Sequence, residues 1–162
     1  MKGANGVRSL GPSGSAVWLL PYLGVPYAEG GRTLSGADCL GWVLLVLERE
    51  RGVPRADPAT LLGLSESAEP EALRRLVATA AGAWTPLPLI EPPAWSVLLF
   101  SPPAPGRPAH VGLSLGAEAF AHSRHGVGVT TARLDEREPG QRAAWRDRLI
   151  GVWMHEGEGG HA

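Results

Sequence analysis

The chain holds one cysteine, Cys39, in 162 residues. That scarcity excludes an internal disulfide and any zinc site built on paired cysteines. Histidine is sparse too, five in all, and none falls in the His-x-x-x-His spacing of a helical metal site. No metal and no cofactor is therefore expected. An excess of one charge is also missing. With 15 basic and 16 acidic residues well mixed along the chain, there is no electrostatic footprint for nucleic acid or an anionic membrane. Long hydrophobic runs are absent as well. The early apolar stretch Ala16–Leu20 stops at Pro21 and is too short for a secretory signal, and nothing approaches a membrane span. The expectation is a protein made in the cytoplasm without a signal peptide. Glycine and proline are plentiful, 22 and 15, and cluster between periodic segments as loops. The length suits one domain with its own core, expected over residues 1–156 with a flexible tail at 157–162.

Between those loops the apolar residues repeat with two periods. Residues 15–23 read as a short apolar helix limited by Pro21. Leu40, Val43, Leu44 and Leu47 follow the helical i, i+3, i+4, i+7 spacing, and Gly52 and Pro54 stop it. Residues 59–64 and 70–81 also read as helices, the second with Pro70 at its first position. Two proline-rich passages, 86–93 and 102–108, bracket an apolar strand at Trp95–Phe100. After Pro108 the period becomes two. Strands are expected at Val111–Leu115, Ala119–Ser123, Val127–Thr131 and Leu149–Trp153. Helices first and consecutive strands afterwards predict an α+β domain, its helices packed on one side of an antiparallel sheet.

Cys39 follows Asp38, a natural N-cap, and so stands at the first position of a helix. The partial positive charge there favours thiolate, which predicts a depressed thiol pKa and fast alkylation near neutral pH. A cysteine nucleophile needs a base and a group that orients the base. His155 and His161 lie at or in the C-terminal tail and suit neither role. His110 opens a strand directly after a proline-rich loop, a rigid edge on which a base can be presented. If Gly116-Ala117-Glu118 is a three-residue turn, Leu115 pairs with Ala119 and Gly112 with His122. His122 then shares a face with His110 one diagonal step away, where neighbours lie about 7–8 Å apart. A two-residue turn would send His122 to the other face. His125, in the following loop, would then be the substitute. Gly30-Gly31 lacks the lysine of a phosphate loop and reads as a turn.

Several blocks carry a family resemblance. Tyr22-Leu23-Gly24-Val25-Pro26-Tyr27, Gly30-Gly31 and Gly36-Ala37-Asp38-Cys39-Leu40-Gly41-Trp42-Val43 resemble the nucleophile region of the NlpC-type cysteine peptidases. These are papain-like enzymes that cut bacterial cell-wall peptides. His110-Val111-Gly112-Leu113-Ser114-Leu115-Gly116 resembles the strand with the family's base. Phe120-Ala121-His122-Ser123 resembles the strand with its third polar residue, and Arg148–Val152 the closing strand. The blocks arrive in the family's order over residues 15–154.

The resemblance implies a papain-like α+β fold with Cys39 as nucleophile, His110 as base and His122 as its orienter. It also implies a Tyr27 hydroxyl that helps meet the oxyanion, and an Asp38 that grips a substrate amine or only caps the helix. The implied substrate is a peptidoglycan stem peptide, cut between D-glutamate and the diamino acid through a thioester. Leu40, where many members have serine, resembles the phage-tail and prophage branch. That implies phage-tail proteins as partners and action on the cell wall as a virion or prophage component. Trp95-Ser96 replaces the usual Gly-Asp, and residues 54–94 match no family motif. No wall-binding repeat stands out, so targeting is expected to rest on the catalytic domain or a partner. Two other functions fit the same residues: a non-catalytic tail or binding module, and an amidase or acyltransferase on another amide or lipid.

Overall fold

Helix α1, Cys39–Arg51, begins and ends as its sequence dictates. The Asp38 side chain accepts from the Gly41 N–H at 2.6 Å, and Gly52 closes the other end in the left-handed region at φ 66°. Every residue from Leu40 to Leu47 is buried. The first two turns are therefore covered all round, not along one stripe. The computed structural model describes residues 16–53, 84–105 and 109–155. The helices expected at 59–64 and 70–81, and the tail at 157–162, lie outside the described residues. None of the described helices is long and apolar enough to cross a membrane.

Before α1, Val17–Tyr22 forms a 3₁₀ segment with Pro21 inside it, in place of the expected apolar helix. A two-stranded ribbon follows, β1 (Arg32–Thr33) with β2 (Gly36–Ala37), which the turn-rich composition had concealed. The main sheet contains β3 (Trp84–Pro86), β4 (Val97–Phe100), β5 (His110–Gly116), β6 (Ala119–Arg124), β7 (Gly128–Arg133) and β8 (Leu149–His155). Its order is β3-β8-β4-β5-β6-β7, antiparallel throughout. β3 is not among the expected strands, and only its last residue, Pro86, belongs to the proline-rich passage 86–93. Edge pairing with β8 tolerates Pro86 there.

The sheet separates two cores. Val97, Leu99, Val111, Leu113, Ala121 and Val129 pack toward α1. The opposite face carries Leu98, Phe100, Phe120, Leu134, Leu149, Val152 and Trp145, the last from a short helix α2 (Trp145–Arg148). The α+β class is as expected, with α1 on one face and this β7–β8 connection on the other.

Two corrections concern turns. The β5–β6 turn has two residues, not three: Gly116 pairs with Ala119, and Ala117 and Glu118 both have positive φ, 50° and 67°. That is the pattern of a type I′ hairpin. A bulge between Ser114 and Gly116 absorbs Leu115, so Ser114 still faces Phe120 and Leu113 faces Ala121. The same register continued by one residue sets Gly112 opposite His122. The expected pairing thus holds along the strand and fails only at its tip. The other correction is Trp95, which precedes strand β4 instead of opening it. It sits at φ 75°, a region that favours glycine, and the cost is about 1–2 kcal/mol. Its ring lies 4.4 Å from Trp18 and under the Arg51 guanidinium at 5.0 Å, contacts that offset the strain. Ser96 is buried and closes this turn, its hydroxyl donating to the Pro93 carbonyl at 2.7 Å.

Candidate active site

The turn that presents Cys39 is clamped from several sides. The Asp38 N–H donates to the Gly31 carbonyl at 3.1 Å, and Gly30 N–H donates to the Asp38 carboxylate at 3.0 Å. A Cβ on Gly41 would run into the Gly31 carbonyl oxygen and lie 2.9 Å from Asp38 Oδ1. Glycine is thus required two residues after the cysteine because the turn lies directly against the helix. Ser123, which sequence reasoning missed, donates its hydroxyl to the Ala37 carbonyl at 2.7 Å. Its neighbour His122 points to the other face of β6. One strand therefore anchors the nucleophile's approach with one residue and the imidazole pair with the next.

His110 Nε2 and His122 Nδ1 lie 2.7 Å apart. The two histidines share a face even though the turn has two residues, because the bulge at Leu115 makes up the missing step. Phe100, Phe120 and Trp145 stand around them. Burial, reinforced for His110 by the Arg148 and Arg124 cations, holds both imidazoles well below the usual histidine range. For His122 the neighbouring His110 adds to the same effect. Both rings are thus held neutral, and Nδ1 is the His110 nitrogen not engaged by His122.

Cys39 is partly exposed at the start of α1. Its thiol faces the backbone N–H of Val111, the residue after His110. The depressed thiol pKa expected from the helix start is not what the structure gives. Burial first, then the Asp38 carboxylate, push the thiol up to about 11, against the pull of the Val111, Leu40 and Cys39 N–H groups. Thiolate is thus scarce at pH 7 and grows as pH rises toward 11. Iodoacetamide labelling of Cys39 is therefore slow at neutral pH and climbs through the alkaline range. A labelling profile with its midpoint below that of a free cysteine would contradict this electrostatic picture.

Tyr27 is half-buried beside Cys39 and Asp38. Burial and then those two groups push its phenol up to about 12, so it remains an O–H donor. His125 lies in the turn after β6 with its ring 5.2 Å from Tyr27. It flanks the cysteine side of the site and does not replace His122. Asp38 is buried, with both oxygens engaged by backbone N–H groups. It caps the helix, and a substrate amine would have to share its remaining lone pairs. His155 lies in β8 against Trp84, away from the imidazole pair. Among the described residues no group of three or more His, Cys, Asp or Glu is placed to hold a metal ion.

Comparison with known proteins gives the family and the fold. The NlpC/P60 family model matches residues 24–154. The chain is 26% identical over 130 residues to the probable peptidoglycan endopeptidase LytE of Bacillus subtilis, covering 80% of this chain and 30% of that protein. It thus spans about a third of that relative's length. Among solved structures, the NlpC/p60 domain of the peptidoglycan hydrolase SagA superposes with a TM-score of 0.51 at 22% identity, covering 82% of this chain and 89% of that one. A lipoprotein-like NLP/P60 protein of Staphylococcus aureus superposes with a TM-score of 0.55 at 22% identity, covering 84% of this chain and 38% of that one. These two establish the shared α+β fold. With the family model spanning most of the sequence, the chain belongs to the NlpC/P60 family.

Proposed function

We propose that this chain is a cysteine peptidase that hydrolyses a peptide bond in peptidoglycan. The observation that carries the reading is the hydrogen-bonded pair His110–His122, held at the β5 start whose Val111 N–H meets the Cys39 thiol. The neutral thiol and neutral imidazole set the order of events. His110 Nδ1 takes the Cys39 proton as sulfur attacks the substrate carbonyl, and no stable thiolate precedes the step. The oxyanion meets the Cys39 backbone N–H and the Tyr27 hydroxyl. His110 then protonates the leaving amine, a thioester remains on Cys39, and water activated by His110 releases the acid. The expected bond joins D-glutamate to the diamino acid of a stem peptide, and the proposed site of action is the bacterial wall.

The test is purified wall sacculi incubated with the protein, followed by labelling of newly freed α-amino groups. New termini belonging to the diamino acid are the expected result. Termini belonging to another residue would leave a peptidase with a different bond. Binding to sacculi with no new termini would overturn the reading in favour of a binding module.

A further inference from the structure

Among the buried polar atoms that have no part in that mechanism, Nε2 of His122 belongs to the ring bonded to the base. The His122 ring is fully buried and its Nε2 has no hydrogen-bond partner among the described residues. Apart from His110, the rings against it are Phe120 at 4.8 Å and Trp145 at 5.2 Å, the latter perpendicular at 86°. Trp145 touches both members of the pair, its ring 5.4 Å from His110. Trp145 is itself buried, with the Arg148 guanidinium 4.5 Å over its ring. Arg148 is fixed by the Ser101 carbonyl at 3.3 Å and by Glu138 at 3.1 Å.

Two neutral imidazoles can share their hydrogen bond in two ways. In the first, His110 donates from Nε2, its Nδ1 is bare, and His122 carries its proton on Nε2. In the second, His122 donates from Nδ1, His110 carries a proton on Nδ1, and His122 Nε2 is a bare lone pair. Only the first leaves His110 a nitrogen that can take a thiol proton. The two differ in what His122 Nε2 presents to the surrounding rings. An aromatic face is the negative part of the ring's quadrupole, so it accepts an N–H and repels a lone pair.

We propose that Trp145 is a positioning residue for the base. Together with Phe120 it surrounds His122 with aromatic rings in place of an oxygen or nitrogen, and so it selects the tautomer in which His110 donates to His122. His110 Nδ1 is thereby kept free. The proposal rests on His110 being the base, yet the tautomer can be read without any substrate.

Long-range proton–nitrogen NMR correlation on the labelled protein at neutral pH reports which ring nitrogens carry protons. The expected pattern is a protonated Nε2 and bare Nδ1 on His122, with a bare Nδ1 on His110. Trp145→Phe keeps that pattern. Trp145→Leu populates both tautomers, and kcat on soluble muropeptides falls about three- to tenfold with KM unchanged. A bare His122 Nε2 in the native protein overturns the proposal, whether or not either variant folds. A folded Trp145→Leu with the native tautomer pattern and native kcat also overturns it, because Trp145 would then be only a core ring. The expected pattern in a protein that cleaves no muropeptide supports the selection and overturns the peptidase reading instead.

Discussion

Cys39→Ala releases no new amino termini from sacculi above the buffer control, a loss on the order of 10⁴-fold or more. The substitution removes the only thiol in the chain and leaves the Asp38 cap and the Gly30–Gly31 turn untouched. The variant therefore folds, and its thermal midpoint stays close to native. His110→Ala loses nearly as much activity, because nucleophile and base act as one unit and their deletions do not add. His122→Ala loses less, about 10²-fold. Its ring touches no reacting atom and acts through the 2.7 Å hydrogen bond to His110. Turnover on muropeptides across the three variants checks the order. Residual release by Cys39→Ala at native rate would remove the thiol from the mechanism, and a greater loss in His122→Ala than in His110→Ala would exchange their roles.

Gly41→Ala destabilises the fold on the order of 3 kcal/mol, the opposite of what helix propensity predicts. In an exposed helix the change would gain about 1 kcal/mol. At this position the added methyl meets the Gly31 carbonyl oxygen, Asp38 Oδ1 at 2.9 Å and the Arg32 stem at 3.0 Å. Two of those three are rigid, since Gly31 contributes backbone and Asp38 is held by two N–H groups. The helix start and the glycine turn must therefore separate, taking the cap and the nucleophile with them. Calorimetry checks this as a fall in the midpoint of about 6–12 °C. A variant as stable as native would show that the turn yields freely and that the clamp is not what fixes Cys39.

Much of this was legible in the sequence because it rests on local rules. The apolar spacing of Leu40, Val43, Leu44 and Leu47, with Asp38 before and Gly52 after, specifies α1 through propensity and capping alone. The face shared by His110 and His122 was expected from a three-residue turn; the turn has two residues, and the bulge at Leu115 restores the count. What the sequence concealed depends on contacts between distant segments. Ser123 looks like any strand serine until the Ala37 carbonyl arrives beside it. Trp145 follows a turn-rich stretch, and nothing near it in sequence announces that it will lie against two histidines. The thiol is less acidic than its place in the sequence suggests for the same reason. The helix start is a local feature, whereas the burial that outweighs it is a property of the assembled fold.

The extra residue at Leu115 has a consequence for how this site tolerates change. Facing direction along a strand is a matter of odd and even counting, so a single insertion or deletion should invert every side chain beyond it. Here the hairpin already holds one residue in reserve between Ser114 and Gly116. Losing that residue would flatten the bulge and leave Ser114 facing Phe120. The loop tip can thus shorten by that one step without turning His122 away from His110, and the chemistry is insulated from such a change at the end of its own strand pair.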